Sequence, residues 1–157
     1  MRNKYVSGAN LSGVDLSGKD LTGVDLGGAN LNGTNLSRTN LTSANLKGAV
    51  LFDTDITKAK IEEGTLNQAI ICNTRMLDGT VSDCNLRKAD FTKTNLSGVN
   101  LSGKDLTGAN LSGADLSGTN LSGANLMRAN LKGAFLLDAD MTGVKIEEET
   151  LNQAIIC

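Results

Sequence analysis

The side chains able to do chemistry here are carboxylates, hydroxyls and three cysteines; there is no histidine. A general acid–base pair or a metal cage needs such groups to converge on one point. Asp15, Asp20 and Asp25 instead recur at five-residue steps, which carries them to successive sides of a regularly turning chain. The serines and threonines follow the same period, and no imidazole is present to activate one as a nucleophile. Glycines repeat as well. No Gly-x-x-x-x-Gly-Lys-Ser/Thr run for cradling a phosphate occurs, and no Gly-Gly-x-Gly-x-Asp calcium repeat. The cysteines lack the Cys-x-x-Cys redox spacing. The chain is therefore read as non-enzymatic, without catalytic, cofactor-binding or metal-binding residues.

The element that positions all these groups is a column of apolar residues at every fifth position from Val6 to Ile156. Each of its 31 members is Leu, Ile, Val, Met or Phe, and 21 are Leu. A five-residue period fits neither the 3.6-residue helix nor the two-residue strand, so the backbone must turn once per pentapeptide. Two residues before each column member stands Ala in 14 places, and Val or Thr in ten more. One residue before, Asn or Asp appears in 20; two after, Gly appears in 15. Large and small apolar residues at a fixed offset define two inward positions. Glycine supplies the positive φ of a tight turn, and Asn or Asp bonds nearby backbone. The core ladder on one side reads Leu11, Leu31, Leu51, Ile71, Phe91, Leu111, Leu131 and Leu151.

The motif Ala-Asp/Asn-Leu-Ser/Thr-Gly, as in Ala9-Asn10-Leu11-Ser12-Gly13 and Ala114-Asp115-Leu116-Ser117-Gly118, resembles the pentapeptide repeat family. That resemblance spans nearly the whole chain. It implies an all-β fold, a right-handed quadrilateral β-helix with four pentapeptides per coil. About eight coils follow for 157 residues, stacked at about the strand spacing of 4.8 Å. One solenoid over 1–157 is expected, internally duplicated. Residues 11–72 align with 96–157 at an offset of 85, with 45 of 62 positions identical. Lys19 and Lys104, both at the small inward position, match each other and must thread their ammonium groups out to water. Arg2 and Lys4 could solvate the first coil's open edge.

The stretch 53–93 lacks glycine after its column members, so different corners are expected there. IEEGTLNQAII at 61–71 has a partial helical face, but Ile61, Leu66 and Ile71 keep the five-residue phase, which favours continued β-helix. An irregular loop is expected around 72–85. In the second copy the same segment is expected to fray or form a helical cap. Some members of the resembled family carry a Cys-bounded segment at the end of the solenoid, which marks Cys72 and Cys84 as a candidate disulfide. In a regular coil these two lie too far apart to bond, so a bridge requires the loop to bulge. Cys157 duplicates Cys72.

The fifteen basic and seventeen acidic residues sum to −2, with neither a basic nor an acidic tail. No signal-peptide core or membrane-length apolar run occurs, so the chain as given is read as soluble and cytoplasmic, with reduced cysteines as the default there. An oxidising or lumenal compartment stays open if a targeting segment was removed. Val50 and Phe52 flank Leu51, and Ile70 and Cys72 flank Ile71. The second copy repeats this with Phe135 and Leu137 around Leu136, then Ile155 and Cys157 around Ile156. In the regular frame these flanking residues point outward and form a duplicated apolar strip, a candidate partner contact unless an irregular or terminal segment covers it. The leading expectation is a structural or interaction scaffold for a protein partner, with homodimerisation through the strip or the open coil ends. Its rival is a DNA mimic acting on a type II topoisomerase such as gyrase, a role that some proteins of this motif have. That role requires strong negative potential, and −2 with interspersed Lys and Arg supplies little. A third reading, ice or polysaccharide binding on a hydroxyl face, suffers from a mixed and interrupted Ser/Thr column. Neither nucleic acid nor a membrane is an expected partner.

Overall fold

The computed structural model describes residues 6–156. Arg2, Lys4 and Cys157 lie outside that range. The chain forms two compact units, Met1–Cys84 and Asn85–Cys157, and each holds one copy of the duplication.

One pentapeptide accounts for the backbone of both. Leu11 accepts a hydrogen bond from the Val14 N–H at 3.2 Å across Ser12 and Gly13. With Gly13 at φ 73°, this is a type II turn. The Asn10 side-chain oxygen accepts from the Ser12 N–H at 3.1 Å, which closes the corner from the other side. The remaining groups point along the stack: the Leu11 N–H donates to the Asn30 carbonyl at 2.8 Å, and the Asn30 N–H donates to the Ala9 carbonyl at 2.9 Å.

In the first unit the resulting parallel bridges always join residues twenty apart: Asp15 to Asn35 to Asp55 to Arg75, and Asp20 to Asn40 to Lys60. The second unit repeats the spacing with Asn95, Asp115, Phe135 and Ile155. Twenty residues are four pentapeptides, so both units are β-helical stacks. Only where pairing continues along one side does a named strand result: β1 (Val50–Phe52) pairs in parallel with β2 (Ile70–Cys72), and Phe52 stands beside Cys72.

The ladder fills the interior. Leu31 and Leu51 in the first unit, and Phe91, Leu111 and Leu131 in the second, are fully buried. Leu11, Ile71 and Leu151 are half-buried. Threonine at the small inward position does more than fit. The hydroxyls of Thr34, Thr54 and Thr119 donate to the carbonyls of Leu11, Leu31 and Leu96 at 3.0, 2.8 and 2.8 Å, and Thr74 does the same to Leu51. A buried hydroxyl thus joins two coils. Lys19 keeps the regular corner with its side chain in solvent, its N–H donating to Leu16 at 3.1 Å.

Three expectations are corrected. Asp53, Lys58, Asn73, Lys88 and Lys93 do not form different corners: they hold φ between 52° and 58°, the left-handed turn of the glycines. Stacking imposes it, since the Lys88 and Lys93 N–H groups each donate to the next coil at 2.9 Å. Residues 61–71 contain one helical turn, α1 (Glu63–Leu66), in place of a continued β-helix, whereas α2 (Glu148–Leu151) in the second copy agrees with the helical alternative expected there. Thr65 and Thr150 stand where Asn or Asp closes other corners, so the chain satisfies itself locally. The Asn67 N–H donates to Glu63, and Leu66 still reaches the core. The column, expected to run unbroken, breaks at Val81 within the irregular loop expected around 72–85: Val81 is exposed because the chain folds back there and bridges Arg75 in antiparallel fashion.

Candidate functional site

The two copies of the apolar strip differ in exposure. Phe135, Leu137 and Ile155 are 45%, 48% and 41% exposed, whereas Val50 and Phe52 are 0% and 3%. Val50 and Phe52 therefore offer no open surface: for Val50 this corrects the outward-facing expectation, and for Phe52 it is the covered alternative beside the 72–85 loop. Their stack neighbours account for much of this. Val50 lies between Asn30, itself buried, and Ile70, half-buried. Phe52 pairs with Cys72, whose sulfur is bonded to Cys84.

The second unit holds the strip open. Phe135 donates its N–H to Ala114 and bridges Ile155, while Leu136 between the two outward residues stays buried. One coil below, the same positions carry Asp115 and Ser117, hydrogen-bonded to each other at 3.0 Å. The strip thus begins abruptly against a polar coil. Ile156 also joins the exposed apolar group, at a position the five-residue frame assigns to the core. No described coil stacks on it.

Cys72 and Cys84 are bonded, with Cα atoms 4.1 Å apart. The loop bulges as the bond requires: Ser82 donates its N–H to Thr74 at 2.9 Å, Met76 donates to Thr80 at 2.7 Å, and Gly79 at φ 87° makes the bend.

The charged groups sit on corners. Asp105 has its carboxyl lowered to about 2 by the Thr107 hydroxyl and N–H and by Arg87, which donates to it at 2.8 Å. Asp15, Asp55, Asp78 and Asp140 are lowered in the same way, each chiefly by the hydroxyl two residues on. These shifts belong to turn closure. Among the described residues no three His, Cys, Asp or Glu side chains gather in a metal-binding group, and no helix is long and apolar enough to cross a membrane.

A family model for pentapeptide repeats matches in eight copies, over residues 20–57, 29–71, 72–113, 84–123 and 109–147. The chain belongs to the pentapeptide repeat family. Solved structures of the family resemble it. A pentapeptide repeat protein from the Arabidopsis thaliana thylakoid lumen is 31% identical, over 77% of this chain and 67% of that one, at a TM-score of 0.32. HetL, involved in heterocyst differentiation regulation in the cyanobacterium Nostoc sp., is 28% identical over 98% and 89%, at 0.29. QnrB1, a plasmid-mediated fluoroquinolone resistance protein, is 22% identical over 87% and 79%, at 0.31. The superpositions are loose, and the assignment to the family rests on the repeat. No curated protein matches the chain.

Proposed function

We propose that this pentapeptide repeat protein is a non-enzymatic interaction scaffold that binds a protein partner through Phe135, Leu137 and Ile155. The same proposal extends to right-handed winding and a total of about eight coils for the 157 residues. The observation that carries the functional reading is the exposure of these three side chains in adjacent coils, where the coil below is polar. Contiguous exposed apolar surface with a polar rim is a mark of a protein contact. A second copy of the chain is one partner that an apolar strip could accept.

A DNA mimic is less well supported. It needs columns of unbroken negative charge, whereas the column Asp15, Asn35, Asp55 ends in Arg75 and the column Asp105, Asn125 ends in Lys145. As for compartment, the bonded Cys72–Cys84 pair favours an oxidising one over the cytoplasm.

The test compares wild-type bait with a Phe135→Ser/Leu137→Ser bait of unchanged circular dichroism, alongside sedimentation of each alone. A partner, or a dimer, lost only in the variant supports the reading. Equal capture by both baits refutes it, and inhibition of gyrase supercoiling by both proteins would move the assignment to the DNA mimic.

A further inference from the structure

The segment after β2 has a construction found nowhere else in the described residues. It bends at Asp78–Gly79 and returns beside its own strand, so that Arg75 bridges Val81 in antiparallel fashion and the Thr74 N–H donates to the Ser82 hydroxyl at 2.9 Å. Continuing that pairing by two residues on each strand brings Cys84 opposite Cys72, where the sulfurs are bonded.

Two observations bear on what this bond does. Cys84 is exposed and Cys72 is buried, so a reagent meets the pair from the Cys84 side. Beyond Ser82, neither Asp83 nor Cys84 makes a backbone hydrogen bond, so the sulfurs alone tie that end of the return strand to β2. The coils beneath have their own support: Leu31 and Leu51 are fully buried, and the N–H groups of Val50 and Ile70 bond across the stack at 2.9 and 2.8 Å.

We infer that Cys72–Cys84 is a redox latch, opened by a dithiol reductant, which releases the 77–85 segment while the coils stay folded. A thiolate of the reductant attacks the Cys84 sulfur, forming a mixed disulfide and expelling Cys72 as a thiolate, which takes up a proton. The reductant's second thiol then attacks its own sulfur in that mixed disulfide and releases Cys84. The protein gains two electrons and two protons, and the reductant leaves as its disulfide. Opening gives access to Cys72, which the closed form withholds, and loosens the side of the unit that carries its register neighbour Phe52. This inference does not depend on the strip of the second unit.

The test uses the full chain carrying Cys157→Ser, so that only the paired cysteines remain. Thiol alkylation read by mass, and amide exchange, are followed with and without dithiothreitol in native buffer. Before reduction no thiol should react; after it, two should. Exchange at Gly79 and Ser82 should quicken by about tenfold or more, with Leu31 and Leu51 unchanged. Cys84→Ser should reproduce the reduced exchange pattern without reductant. The latch is overturned by two reactive thiols before reduction, by reduction only in denaturant, by unchanged exchange at Gly79 and Ser82, or by loss of protection at Leu51 together with the hairpin.

Discussion

Replacing Lys58 with glycine should stabilise the protein, although the change deletes a charged side chain and adds a flexible residue. Lys58 holds φ 58° at a corner where 15 of the 31 pentapeptides place glycine. A non-glycine residue in that region costs about 1–2 kcal/mol. Glycine relieves that strain but restores about 0.5–1 kcal/mol of unfolded-chain entropy. The net gain is about 0–1.5 kcal/mol, centred on about 0.75 kcal/mol, or about 1.5–3 °C in melting temperature for a chain of this length. Lys58→Ala keeps the strain while removing the same charge and stem, so it should stay within about 0.5 kcal/mol of wild type. The converse is Gly103→Ala, where an added Cβ meets no atom within 4 Å and φ is 67°, so conformation alone sets a loss of about 1 kcal/mol. Urea titrations followed by circular dichroism measure all three. Lys58→Gly no more stable than Lys58→Ala, or a neutral Gly103→Ala, would refute the argument that stacking holds a strained corner.

Leu111→Asp buries a charge in a fully enclosed ladder position and should unfold neighbouring coils, whereas Ser112→Asp on the half-buried corner should cost less than about 1 kcal/mol; thermal melts separate them. Phe52→Ser should lose about 3 kcal/mol or more because its ring is buried, while the duplicate change, Leu137→Ser, should stay within about 0.5 kcal/mol because Leu137 is exposed. Asp105 is lowered to about 2 in the folded chain, so it stabilises above its unfolded value near 3.8 and loses that contribution as pH falls towards 2. Melts from neutral pH down to pH 2 should show wild type ahead of Asp105→Asn at neutral pH and the gap closing across that window; a constant gap would reject the assignment.

The stack was legible because a single five-residue column decides which side chain enters the core. Phe135 and Leu137 were legible for the same reason: they flank Leu136 where other coils show Asn or Asp and Ser or Thr. What escaped was wherever two structures satisfy one pattern. Ile61, Leu66 and Ile71 are spaced alike whether or not a helical turn intervenes, and Leu66 is buried with α1 present. Val81 keeps the phase by coincidence, since the turn at Asp78–Gly79 had already reversed the chain. Lys58 and Lys93 hide left-handed corners because residue type records preference, while the hydrogen bond from Lys93 to Ser112 records the constraint. Val50 and Phe52 look like their duplicates in sequence. Their burial depends on surroundings, Asn30 and the bonded Cys72 among them, which a local reading of the strip does not weigh.

The measurement closest to the central claim places a photo-crosslinking amino acid at position 137 and, separately, at position 117, one coil below in the same column. Irradiation in the source cell's lysate should yield a discrete adduct, to a partner or to a second copy, from position 137 and none from position 117. Adducts of equal yield from both positions, or from 117 alone, would contradict a scaffold whose contact is the strip of Phe135, Leu137 and Ile155.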